Sequence, residues 1–230
     1  MATLVLIPGL LCDRRLWSDQ ISGLSTQADI SVADITRPTT LMEMAETVLR
    51  AAPERFSLAG FSLGSQVALE IMQTAGERVE RLALLSATRG GLLPPSVVAF
   101  REAIAGIEQG GFQQYLESFY PRYVAERRAN DEALKRTFMD MAHAVGEEAG
   151  LRQIHVLLGI TEPFSKLDEI RCPTFVIGGR EDRRTTPAAH EALAKEIPGA
   201  ELVMIEASGH FTTLEQPEAV TRALRQWLER

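Results

Sequence analysis

The chain has 230 residues, 45% of them hydrophobic and 24% charged, with a formal net charge of −7. That length suits one large α/β domain, or such a domain carrying an insertion. The acidic balance, with no run of Lys or Arg, excludes a nucleic-acid-binding surface and offers no attraction to anionic membranes.

The first apolar run, Leu4-Val5-Leu6-Ile7, follows Met1-Ala2-Thr3 directly and ends at Pro8-Gly9. No basic segment precedes it and it is far too short to span a bilayer, so neither a secretory leader nor a membrane anchor is expected. Further runs follow at Ile30 to Val32, Phe56 to Ala59, Leu82 to Leu85, Thr174 to Ile177 and Leu202 to Ile205. Most are continuous rather than alternating, the mark of strands covered on both faces of a parallel sheet. Helical patterns fall between them. Thr40-Leu41-Met42-Glu43 is a capping box opening a helix to about Ala51. Val67, Ala68, Ile71 and Met72 recur at helical spacing, Pro187 opens another helix, and Val220, Leu224, Trp227 and Leu228 form a last inward stripe. This alternation predicts an open, mostly parallel sheet with right-handed crossovers.

The alternation pauses between the fourth and fifth runs. Gly90-Gly91 and Pro94-Pro95 open a stretch with no strand-like run but with helical stripes: Val97, Phe100, Ile104 and Ile107; Phe112, Tyr115 and Phe119; Leu134, Phe138, Met141 and Val145. The expected organisation is a core of residues 1–88 and 165–230 with a helical cap, residues 89–164, over the C-terminal edge of the sheet. Ligands of open α/β sheets bind at that edge. Cys12 and Cys172 are distant in sequence, which fits two reduced thiols in a cytoplasmic protein. No metal-ligand pattern and no cofactor motif is present, and nothing in the pattern fixes an oligomeric state.

The chemistry concentrates at strand ends. Gly60-Phe61-Ser62-Leu63-Gly64 stands where the third run ends and a helix begins. A serine at such a turn is exposed at the top of the sheet, and the helix behind it favours developing negative charge. A serine hydroxyl needs a base, and the base needs a carboxylate to fix its tautomer. Of four histidines, His143 and His155 fall in the helical stretch and His190 on the inner side of a helix, where structural roles are expected. His210 follows the last run in the short loop Glu206-Ala207-Ser208-Gly209, which suits the base. Asp182 stands in the loop after the fifth run and is the expected acid, with Glu181 as its neighbouring competitor. The segment after the fourth run, Ser86-Ala87-Thr88, holds no carboxylate, and Asp168 precedes its strand at the opposite end. An oxyanion hole needs two backbone N–H groups; Leu63 supplies one in this kind of turn, and Leu10, after Pro8-Gly9, is the candidate for the second. Trp17, Phe119, Tyr123 and Phe211 are candidates for lining the substrate pocket, with core packing as the alternative.

The order Ser62, Asp182, His210 on successive strand ends, with Gly-x-Ser-x-Gly and a helical insertion after the fourth strand, resembles the α/β-hydrolase superfamily over essentially the whole chain. The opening Leu6-Ile7-Pro8-Gly9-Leu10-Leu11-Cys12-Asp13 with Trp17 looks like the small bacterial hydrolases related to carboxylesterases, enol-lactonases and C–C-bond hydrolases. Two departures stand out. Pro8 replaces the His common before that Gly, and the chain begins at the family's third strand, which implies a reduced sheet of about six strands. The resemblance implies a serine hydrolase acting on a small carboxylic ester, thioester or lactone, without metal or organic cofactor. The alternatives are a C–C hydrolase or lyase on the same triad, or a non-catalytic small-ligand-binding protein.

Overall fold

A computed structural model describes residues 2–230. Its strands are β1 (Ala2–Ile7), β2 (Ala28–Val32), β3 (Phe56–Phe61), β4 (Val79–Leu85), β5 (Thr174–Gly179) and β6 (Glu201–Ile205). Its helices are α1 (Ser18–Leu24), α2 (Leu41–Ala51), α3 (Leu63–Ala75), α4 (Pro94–Glu108), α5 (Phe112–Tyr123), α6 (Glu132–Val145), α7 (Glu147–Gly159), α8 (Pro187–Glu196), α9 (Thr212–Glu215) and α10 (Pro217–Leu228). The six strands form one sheet in the order β2-β1-β3-β4-β5-β6, and every pairing is parallel. Helices flank it, as the continuous apolar runs predict. β3 and β5 are buried at every position. The edge strand β2 alternates between covered and open positions, and β6 begins exposed.

The local signals act as their chemistry dictates, with one adjustment. Thr40 caps α2, its Oγ1 accepting from the Glu43 N–H at 3.1 Å. The return contact falls one residue earlier than a strict capping box: Glu43 accepts the N–H and the hydroxyl of Thr39 at 2.8 and 2.9 Å. Thr186 caps α8, and Pro187 occupies a first-turn position where no N–H is needed.

The helical stretch between β4 and β5 comprises α4 to α7. The three stripes read from sequence become α4, α5 and α6, burying Phe100 and Ile107, Phe119, and Leu134, Phe138 and Met141. The fourth, α7, buries Gln153, Ile154 and Val156 against the rest. Short α1 and α9 were outside the sequence-level expectation.

The β3–α3 turn shows why its two glycines are required. A Cβ on Gly60 would run into the Gly64 carbonyl, and one on Gly64 would run into the Ile7 and Pro8 carbonyls. The first glycine lets the helix start tight against its own strand, and the second lets it seat against the end of β1.

Candidate active site

Four loops converge at the C-terminal ends of β1, β3, β4 and β6, and each holds a non-glycine residue with positive φ: Leu11 (58°), Ser62 (52°), Ser86 (50°) and Ala207 (59°). Such conformations cost energy and persist only where the surroundings hold them. The holding contacts are explicit. The Ser62 N–H donates to the Leu85 carbonyl at 2.8 Å. The Ser86 N–H donates to Ile177 at 2.9 Å, and the Leu11 N–H donates to Gln153 Oε1 of α7 at 2.9 Å.

Three predicted residues from three loops meet here. His210 Nε2 lies 3.0 Å from Ser62 Oγ, and His210 Nδ1 lies 2.7 Å from Asp182 Oδ2. The other Asp182 oxygen accepts the N–H groups of Arg184 at 2.7 Å and Thr185 at 2.9 Å. Burial pushes the Asp182 carboxyl up, but the His210 ring and these two N–H groups outweigh it, and the net shift is downward. Asp182 therefore stays ionised beside the imidazole. Glu181, the neighbouring acid, points elsewhere and pairs with Arg127 at 2.9 Å.

The His210 loop is fastened on several sides. Its N–H donates to the Tyr123 carbonyl at 2.8 Å, and its carbonyl accepts the Ser86 hydroxyl at 2.7 Å. Phe61 and Tyr123 meet the imidazole edge-on at 5.4 and 5.3 Å. The preceding Gly209 N–H is held by both carboxylate oxygens of Glu215 at 3.0 and 3.1 Å, and Glu215 also accepts the Ala125 N–H at 2.9 Å. Burial raises the Glu215 pKa against the pull of these donors. Glu215 thus ties the His210 loop to the segment after α5. Glu215 follows His210 closely in the sequence, but nothing there assigns it a partner. Ser86, noted in the sequence only for lacking a carboxylate, is a second such fastening.

Of the two candidate oxyanion donors, Leu63 borders the cavity together with Ser62 and His210. Its N–H opens α3 and has no intrahelical acceptor. Leu10 stands in the turn after β1, beside the end of β3, and is not among the cavity-lining residues. Among the described residues, neither N–H donates a hydrogen bond.

The cavity over Ser62 has a volume of about 500 Å³. Of the four aromatic candidates, Tyr123 lines it. The other three require correction. Trp17 is fully buried edge-on to Phe61 at 6.5 Å, Phe119 stacks between Tyr123 and Phe138, and Phe211 stacks on Phe61 at 5.8 Å. They support the site from behind, because large apolar rings gain more from complete burial than from a half-open wall. The apolar lining comes instead from residues such as Leu93, Phe100, Leu157 and Ile160.

His190 sits in the structural role expected of it. It is fully buried against Gly178, with Nδ1 3.1 Å from the Thr186 carbonyl, and among the described residues its Nε2 has no partner. Burial pushes its pKa down to about 4, with His210 adding to the fall and Asp182 opposing it. The unfolded chain therefore binds a proton near pH 6.5 that the folded chain refuses until about pH 4. Folding stability should fall as pH falls through that window, by up to about 3 kcal/mol from this residue. Urea unfolding at pH 7 and pH 4.5 should show a smaller pH-dependent loss for His190→Leu than for the unchanged chain. Equal losses would show that His190 does not carry the effect.

Among the described residues no cluster of His, Cys, Asp and Glu has the arrangement of a metal site, and no helix is long and apolar enough to cross a membrane. A parallel sheet flanked by helices, with a serine on a strained strand–helix turn and a histidine after the last strand, is the architecture of an α/β hydrolase. The chain belongs to the Alpha/beta hydrolase family, whose model matches residues 4–223. It is 28% identical over 98% of its length to a protein of Pseudomonas savastanoi pv. phaseolicola provisionally named carbamate hydrolase RutD, of which 93% is covered. It is 26% identical to the pimeloyl-[acyl-carrier protein] methyl ester esterase of Nitrosomonas europaea, over 94% of this chain and 91% of that one. Its fold matches that of a thermophilic esterase from Thermogutta terrifontis with a TM-score of 0.89 at 23% identity, covering 100% of this chain and 90% of the other.

Proposed function

We propose that the chain is a serine hydrolase that cleaves a small carboxylic ester, thioester or lactone through an acyl-enzyme. The observation that carries this is the hydrogen-bonded line from Ser62 Oγ through His210 to Asp182, opening into a cavity. Ser62 Oγ attacks the substrate carbonyl while His210 Nε2 takes its proton. The resulting oxyanion is held by the N–H groups of Leu63 and Leu10. Collapse expels the alcohol, thiol or ring oxygen, which receives the proton from His210. Water, deprotonated by the same Nε2, then releases the acid and restores Ser62. Asp182 holds Nδ1 protonated throughout, which keeps Nε2 free to accept.

Residues 89–164 act as a cap that walls the cavity from one side, with Phe100, Tyr123 and Leu157 contributed by α4, α5 and α7. The relatives named for ester and carbamate hydrolysis support carbonyl attack as the shared step, and either bond type passes through the same tetrahedral intermediate. Free Cys12 and Cys172 suit a reducing, cytoplasmic compartment.

A fluorophosphonate probe tests the assignment directly. It should modify one residue, Ser62, as mapped by peptide mass spectrometry, and turnover of a p-nitrophenyl ester should disappear in step with labelling. An inert Ser62 in a chain that still binds small acyl compounds would point to a binding protein instead.

A further inference from the structure

The cavity's charge does not match the chain's. The protein carries 31 acidic residues against 24 basic ones, yet neither Asp nor Glu is among the residues lining the cavity, while Arg89 and Arg184 are. Arg89 is neutralised by Glu196 at 2.8 Å. Other nearby arginines are likewise occupied. Arg127 pairs with Glu181, and Arg183 donates to the Pro121 carbonyl at 3.0 Å. Arg184 differs from them. Among the described residues its guanidinium has no carboxylate within salt-bridge distance; it makes a long hydrogen bond to Ser96 Oγ at 3.4 Å and stands near enough to the Tyr123 hydroxyl to pull its pKa down against the upward push of burial.

Arg184 is also held in a defined place. Its backbone N–H is fixed by Asp182 at 2.7 Å, and its guanidinium lies over the Tyr123 ring at 5.0 Å from the centroid. Tyr123 in turn meets the His210 ring edge-on at 5.3 Å. Two successive ring contacts therefore link the free cation to the base. A planar guanidinium stacked on an aromatic face keeps its N–H edge for a planar anion and loses little freedom on binding one.

We infer that Arg184 recognises a carboxylate on the substrate, so that the preferred ester carries an anionic group a few bonds from the carbonyl that Ser62 attacks. This rests on the ester-hydrolase reading and names the substrate class within it. A free carboxylate closes the bidentate pair that Arg184 lacks, while the apolar walls take the intervening methylenes. Without an anion the guanidinium sits half-buried and poorly matched, so a neutral ester of the same shape gains only the apolar contacts. Arg184 acts in binding and moves no proton. Its effect belongs in KM.

The test compares monomethyl esters of straight-chain dicarboxylic acids, succinic to adipic, with the corresponding monoamide methyl esters, which match them in shape and lack the charge. The ratio of kcat/KM, anionic over neutral, should be roughly 10 to 100 for at least one chain length, as expected for charged hydrogen bonds in a partly closed site. In Arg184→Met the ratio should fall towards one, mostly through KM, and Arg184→Lys should keep part of it. Taking the ratio within one protein cancels any general loss from the substitution. Calorimetric binding of the same half-esters to Ser62→Ala, with and without Arg184→Met, reads recognition without turnover. A ratio near one for every pair, with both esters cleaved, would overturn the inference and leave the hydrolase reading intact. Arg184-dependent binding with no cleavage by the unaltered chain would support the inference and overturn hydrolysis. Neither cleavage nor Arg184-dependent binding would overturn both.

Discussion

Ser62→Ala is expected to lower kcat on the best ester by about 10⁴ to 10⁶, the loss found when the nucleophile is removed from a triad that works as a unit. The size follows from what remains. His210 and Asp182 stay paired at 2.7 Å, but the base has no hydroxyl to activate. The oxyanion donors and the cavity persist, so a residual rate above that of water is expected. Folding should change little. Ser62 Oγ bonds to His210 Nε2, while the turn is held by main-chain contacts, including the Ser62 N–H to the Leu85 carbonyl, which alanine keeps. Activity and unfolding midpoint measured on one preparation separate the two effects. Near-unchanged turnover by a folded Ser62→Ala chain would remove Ser62 from the mechanism.

The sheet was legible because its burial is two-sided. β3 and β5 are covered at every position, so their sequences are mostly apolar without polar alternation, with Ser57 and Thr174 as their buried polar exceptions. The site was legible for a related reason. In a parallel sheet all strands end on one edge, so polar residues just after the apolar runs are brought together whatever their separation in sequence. Ser62 and His210 are 148 residues apart in sequence, yet Ser62 Oγ and His210 Nε2 lie 3.0 Å apart. Asp182 could be preferred over Glu181 from its position, and the two do point to different partners.

Direction was harder to read. Trp17, Phe119 and Phe211 stand close to site residues in sequence or in the cap, and a ring that backs a catalytic loop has the same local pattern as one that faces the substrate. Arg184 ends a run of consecutive charged residues of both signs, Arg180-Glu181-Asp182-Arg183-Arg184, whose side chains take different partners. Arg180 pairs with Glu206, Glu181 with Arg127, and Asp182 with His210. Nothing in one dimension says that the last of the run turns into the cavity. Glu215 is hidden for another reason: its partners are the N–H groups of Gly209 and Ala125, and backbone donors carry no sequence signature.

Asp182→Asn should lower kcat by about 10⁴ while leaving the fold in place, and the reason lies in the second oxygen of the carboxyl. In the native loop Oδ1 accepts from the N–H groups of Arg184 and Thr185, and Oδ2 faces His210 Nδ1. An asparagine keeps its carbonyl oxygen on those two donors, since the opposite rotamer would set its amide protons against them. Its amide nitrogen then faces Nδ1 and makes that atom an acceptor. The imidazole proton is displaced to Nε2, the atom 3.0 Å from Ser62 Oγ, which can no longer take the serine proton. The loss is therefore one of tautomer rather than of geometry, and Asp182→Ala should differ in kind: it frees the two loop N–H groups and the Nδ1 position together, so stability should fall along with activity. Thermal unfolding and ester turnover of the two variants distinguish these outcomes. An Asp182→Asn chain that is folded and retains most of its activity would show that Asp182 does not set the protonation of His210.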